Sequence, residues 1–144
     1  GDVAGGSAPG QVRVVADHLN VSGGSLFPAP GMVSAGWDAT LTERLGSLRG
    51  VSGSSVVALV PGPLRPSPAE SRALVSLGAD AAVTDSVAEA MVLASRGVAV
   101  SALTYLDAPA AGGNLGRAQL SLRQASGVTL AAVEEILRSL RAGS

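Results

Sequence analysis

Between Ser54 and Gly78 the chain gives three structural signals in fixed order, and few folds accept them. Ser54 to Val60 is an almost unbroken apolar run of the kind found in a strand covered on both faces. Pro61-Gly62-Pro63 stops it. Ser67-Pro68-Ala69-Glu70 then supplies an N-cap hydroxyl, a proline at the first helical position and a reciprocal carboxylate three residues on, which is a capping box. Gly78 closes that helix, and Ala81-Ala82-Val83 reads as another short strand. A strand buried on both faces, then a helix, then a strand, is a unit of an α/β layer.

The rest of the chain continues this alternation. Gln11 to Asp17 is β-branched and predicts a strand ending at Asp17-His18. A Gly/Pro/Ser-rich loop follows from Ser22 to Gly36, then a helix from Trp37 to Leu48 with Leu41, Leu45 and Leu48 on one face. Ser86 with Glu89 predicts a second capping box, ahead of a helix running to Arg96 and closed by Gly97. Val98 to Leu106 is expected to be the fourth strand, and residues 107–116 a loop. Helical segments are expected at Leu115–Gln124 and Thr129–Arg141, the last with Leu130, Val133, Leu137 and Leu140 as its buried stripe and Glu134 paired with Arg138. The expected fold class is α/β, one domain with a mixed, largely parallel sheet flanked by helices. Ligands of such folds bind beyond the carboxyl ends of the strands. Here those ends are Asp17-His18-Leu19-Asn20, Pro61 to Pro66, Thr84-Asp85 and Leu106-Asp107.

Composition excludes several function classes. With 144 residues, 47% of them apolar, the chain has the material for one domain with a substantial core. A formal net charge of −1 offers no basic stripe, so neither nucleic acid nor an anionic membrane is expected as a partner. All ten basic residues are Arg, which fits either a coding bias or anion binding through guanidinium forks. Without cysteine and with a single histidine, no thiolate nucleophile and no sulfur or histidine-rich metal site is expected. No apolar run approaches the ~18 residues of a membrane span, and the first residues lack a secretory pattern, so cytoplasmic placement is the expectation. A first residue of Gly1 rather than Met suggests processing, cleavage or an engineered start.

Taken in order, Gly62-Pro63, Ser67 to Glu70, Gly78-Ala79-Asp80-Ala81, Val87 and Glu89 resemble the signature segment of the trimeric purine nucleoside phosphorylase and methylthioadenosine phosphorylase family. Asp2-Val3-Ala4-Gly5-Gly6 is similar to that family's Asn-Ala-Ala-Gly-Gly turn, and Asp17-His18-Leu19-Asn20 with Ser22-Gly23 to its Asp-His-Ile-Asn segment. Gly36-Trp37-Asp38 sits where the family has Ala-Tyr-Asp. The resemblance implies the second half of a phosphorylase subunit. It therefore implies a partner, either a protein supplying the N-terminal half or further copies in a trimer-like homo-oligomer, because half of such a fold leaves an exposed sheet edge.

The same resemblance locates departures. Pro66 stands where the family has a glutamate that accepts hydrogen bonds from the purine, and Arg65 where an aromatic residue stacks on the base. Asp85 stands in place of a phosphate-gripping serine, next to Thr84. Two like unit charges ~4 Å apart repel by about 4 kcal/mol at an effective dielectric of about 20, so Asp85 opposes phosphate as a cosubstrate. Asp85 also has a plain structural reading, as an anion favoured near a helix N-terminus.

The remaining ligand-binding candidates are Ala4 and Gly5, whose backbone N–H groups suit an anion cradle, with Thr84. Asp107 is a candidate for reading an amino group, or else an ordinary turn residue, and His18 is either a catalytic candidate or a packing residue. No cofactor and no metal is expected, and phosphate is disfavoured. Three functions follow. The first is a phosphorylase-like partner or scaffold subunit with altered sites. The second is an enzyme repurposed for a non-nucleoside small molecule in a biosynthetic pathway, with Asp85, Asp107 and Arg65 acting on it and the two carboxylates as acid and base. The third is a residual nucleoside phosphorylase or hydrolase completed by another chain.

Overall fold

In the computed structural model, which describes residues 10–24, 36–62, 65–106 and 122–142, the apolar run before Pro61 is an inner strand of a four-stranded sheet. The elements in chain order are β1 (Val12–Asn20), α1 (Ala39–Gly46), β2 (Val51–Leu59), α2 (Pro68–Ser76), β3 (Ala81–Val83), α3 (Val87–Ser95), β4 (Leu103–Tyr105) and α4 (Leu122–Ala142). The sheet order is β3-β2-β1-β4. β1 with β2 and β2 with β3 are parallel, whereas β1 with β4 is antiparallel. The expected mixed, largely parallel sheet is thus present.

Alternation along β2 makes two packed faces, since successive side chains of a strand point to opposite sides. Val57 and Leu59 join Val15, Val87, Met91 and Leu106 in one cluster, which brings α3 onto that face. Ala58 packs with Leu74, Ala79 and Ala82, which places α2 on the other. Each fully buried aliphatic side chain contributes about 1.5–3 kcal/mol of transfer free energy. Val12 and Val14 of β1 carry α4 and α1 through Ala125, Val128, Leu45 and Ala132.

The helix ends follow their local chemistry unevenly. Asp38 caps α1 by accepting the Leu41 N–H at 2.8 Å, so Trp37 lies ahead of the helix rather than in it. The Ser67 capping box forms as expected: Glu70 N–H donates to the Ser67 hydroxyl and Ser67 N–H to the Glu70 carboxylate. The second box does not form. Ser86 has φ of +67°, whereas a hydroxyl cap needs extended backbone to reach the third helical N–H. Its hydroxyl donates to the Asp85 carboxylate instead.

Further expectations are corrected. β1 runs on past Asp17-His18 to Asn20, because β2 offers it pairing partners as far as Leu59. The fourth strand shrinks to Leu103–Tyr105, since Ala102 accepts the Val15 N–H but Val100 turns aside to accept that of Asp38. The C-terminal helix is continuous from Leu122, and its outer face carries the expected stripe: Leu130 is 61% exposed and Leu140 64%, with Val133 and Leu137 about half exposed. What α4 buries is smaller, namely Ala125, Val128 and Ala132 with half-buried Ile136. These residues let it approach the turn before β2 so closely that a β-carbon on Gly50 would sit 2.6 Å from Val128 Cγ2. Arg138 pairs with Glu135 rather than Glu134. Of the expected Leu115–Gln124 segment only residues 122–124 are described, as part of α4.

Candidate functional site

The carboxyl ends of β1, β2 and β3 are tied into one rim by backbone hydrogen bonds. Val21 N–H donates to Leu59 C=O at 3.0 Å, and Val60 N–H to Val83 C=O at 2.9 Å. Pro61-Gly62 then passes Thr84 so tightly that a β-carbon on Gly62 would lie 3.0 Å from Thr84 Cβ. Asn20 holds the turn after β1: its amide donates to Gly24 C=O at 2.6 Å, and its Oδ1 accepts from the Ser22 N–H and hydroxyl. Sequence reasoning treated Asn20 only as part of a motif. Its side-chain bonding makes it the bracket of that turn.

On this rim Thr84 and Asp85 are exposed. The Asp85 carboxylate accepts the Ser86 hydroxyl at 3.3 Å, within a bend whose backbone closes through Val87 N–H to Asp85 C=O. His18 lies within β1 and is half-buried. Its amide donates to the Asp17 carboxylate, and its ring meets Trp37 edge to face with centroids 6.0 Å apart. His18 Nδ1 and Trp37 Nε1 are both buried without a hydrogen-bond partner. Polar atoms in that state cost free energy rather than supply it.

Arg65 and Pro66 lie beside a cavity of about 660 Å³ between the β2 terminus and α2. Val21, Val60, Pro61, Leu74 and Leu77 form its apolar wall, with Ser67, Glu70 and Ala73 completing it. The Ser67 bonds hold the Glu70 carboxyl below the usual carboxylate range, the backbone N–H first and the hydroxyl second. Of the apolar wall residues only Pro61 belonged to a strand end marked from sequence. The available signal was Leu77, a large apolar residue at the end of a capped helix facing a Pro-rich turn.

The fourth strand end does not join this rim. β4 runs antiparallel to β1, so its carboxyl end lies beside the start of that strand, where Leu106 N–H donates to Gln11 C=O and Gly10 N–H to Leu106 C=O. Of four patches expected at one edge of the sheet, three meet there and Leu106 is at the other. Asp107, Ala4 and Gly5 fall outside the described residues, as do residues 25–35 of the long loop. Among the described residues no three His, Asp or Glu side chains cluster as metal ligands, and no helix is long and apolar enough to cross a membrane.

No protein-family model and no curated protein matches the chain. Solved structures do. A Schistosoma purine nucleoside phosphorylase in complex with hypoxanthine aligns with TM-score 0.72 and 18% identity, over 95% of this chain and 59% of that one. The Schistosoma mansoni enzyme complexed with a novel monocyclic inhibitor aligns at 0.68 and 19%, over 95% and 55%. The Schistosoma enzyme in complex with guanosine aligns at 0.67 and 19%, over 95% and 58%. The chain therefore has the architecture of a nucleoside phosphorylase over part of that fold, spanning less than two thirds of the chains it matches. Identity this low carries the fold and nothing finer.

Proposed function

We propose that this chain is a purine nucleoside phosphorylase-like subunit with altered base and phosphate positions, working as a partner or scaffold subunit in the cytoplasm. The observation that carries this reading is the outer face of α4, where Leu130, Val133, Leu137 and Leu140 lie exposed in one row. Contiguous apolar surface of this kind marks an interaction site. A second feature supports it: β1 pairs with β2 along its length but with β4 only from Val12 to Val14. Past the Val15 bond to Ala102, the Ala16–Asn20 edge has no strand beside it among the described residues. A further strand, from more polypeptide or another copy, suits that edge.

The altered positions argue against phosphorolysis. An exposed Asp85 on the rim repels an anionic cosubstrate, and the Pro66 side chain offers neither an acceptor nor a charge to a base. The test is co-purification and light scattering of the chain, followed by assay of the assembly with inosine, guanosine, adenosine and methylthioadenosine, with and without phosphate. Association without base release is the expected result. A monodisperse monomer that releases free base would overturn the reading. The cavity beside Arg65 favours a second reading, an enzyme acting on a non-nucleoside substrate.

A further inference from the structure

Along α4 the exposed apolar residues recur at 130, 133, 137 and 140, a 3-4-3 spacing that keeps them in one seam of the helix. The spacing is a palindrome: reflected about residue 135, Leu130 exchanges with Leu140 and Val133 with Leu137. Such a row is its own complement under a two-fold axis, the commonest symmetry of soluble oligomers. Two copies crossed antiparallel there stack Leu130 on Leu140 and Val133 on Leu137, so that every layer of the contact is apolar and leaves water.

The flanks of the row set the direction. One flank carries Glu134 and Arg141, a heptad apart, and the other Thr129 and Ile136. In a parallel pair opposite flanks meet, so Glu134 faces Thr129, Arg141 faces Ile136, and no ion pair forms. In an antiparallel pair like flanks meet. The two Glu134 carboxylates then come near the axis, and the Arg141 guanidinium of each copy neutralises the Glu134 of the other. On that flank Glu134, Leu137, Arg138 and Arg141 line a hollow of about 280 Å³, with the four-residue outline of a hole that takes one side chain from a facing helix.

We infer that the partner met by the outer face of α4 is a second copy of this chain, bound antiparallel across a two-fold axis beside residue 135. The inference rests on the partner-subunit reading and names its partner.

Sedimentation velocity of the purified chain, from micromolar to submillimolar concentration, should show the reversible monomer–dimer step of a small interface. Glu134→Arg should weaken the dimer about threefold or more, by setting like charges together, and Glu134→Arg combined with Arg141→Glu should restore it. Far-UV circular dichroism should be unchanged in both. The sequence has no cysteine, so Leu130→Cys and Leu140→Cys report the register. On oxidation an equimolar mixture of the two should give a disulfide dimer, and either variant alone little. In the antiparallel pair two copies of position 130 lie about 15 Å apart along the axis, beyond the ~7 Å between Cα atoms that a disulfide spans. A chain that stays monomeric throughout, a dimer indifferent to Glu134→Arg or not restored by the charge exchange, or disulfides formed by each variant alone, as in a parallel pair, would overturn the inference. An assembly formed through another surface overturns it and leaves the partner-subunit reading standing, whereas a monomer that releases free base overturns both.

Discussion

Asp80 is joined to Val56 twice: its N–H donates to the Val56 carbonyl at 2.8 Å, and its carboxylate accepts the Val56 N–H at 2.8 Å. A single residue just before β3 thereby satisfies both backbone groups of a residue on β2, and starts the Val57–Ala81 register one position later. The carboxylate does what a neighbouring strand's carbonyl would otherwise do.

Removing that carboxylate leaves the Val56 N–H without its acceptor. Asp80→Ala should lower unfolding free energy by about 1–3 kcal/mol, the cost of a part-buried donor left unmade, and Asp80→Asn should recover part of it through its amide oxygen. Urea denaturation of the three proteins measures the difference.

Gly50 is limited twice over, by φ of +94° and by Val128 Cγ2 at 2.6 Å from any added β-carbon. Gly50→Ala should destabilise by more than about 1 kcal/mol. Combined with Val128→Ala, it should cost less than the sum of the two single changes, because the clash is relieved while the dihedral strain remains. A double-mutant cycle by thermal or urea unfolding reads that coupling.

The Glu70 carboxyl has a lower pKa in the folded chain than in the unfolded one, by virtue of the Ser67 N–H and hydroxyl. Its contribution to stability is complete above about pH 4.3, the unfolded value, and is lost as pH falls through the lower folded value. Glu70→Gln should remove that part of the acid dependence. Urea midpoints followed from neutral to acid pH for both proteins check the sign.

Ser67→Ala should cost about 0.5–2 kcal/mol, since it removes the acceptor for the Glu70 N–H, whereas Ser86→Ala should leave stability nearly unchanged because Ser86 caps nothing through its side chain. Equal losses from the two substitutions, by the same unfolding assay, would contradict the different states of the two caps.

Leu130→Gln with Leu137→Gln should leave the unfolding free energy of the isolated chain within about 0.5 kcal/mol, since both side chains are exposed. Sedimentation velocity should show weakened association of the double variant with itself or with its partner.

β2 and α2 were legible because each is fixed locally, one by a run of apolar residues and the other by a box closed within four positions. The same motif misled at Ser86, where the residue types fit but the backbone before α3 is left-handed. The face of α4 was misread for a related reason. Two apolar rows run along it, and sequence favours the leucines, yet the row that packs on β1 is Ala125, Val128 and Ala132, with Val128 against Gly50. The direction of β4 was invisible, since apolar periodicity marks a strand without saying which way it runs, and so Leu106 was expected at the wrong edge. Of the positions drawn from the family resemblance, Thr84 lies against Gly62 at the end of β2 and Arg65 and Pro66 line the cavity beside that end, while Val21, Leu74 and Leu77 of its wall had no motif to announce them.

The antiparallel β4 also orders events in time. Val12 finds Tyr105 only after nearly the whole chain between them exists, whereas β2 reaches β3 across one short helix. Loop-closure entropy makes the near pairing the early one and the distant pairing late. Among the described residues, the Val12–Val14 edge of β1 thus gains its strand partner only once Leu103–Tyr105 has been made, and a late long-range pairing of this kind is the step most exposed to mispairing.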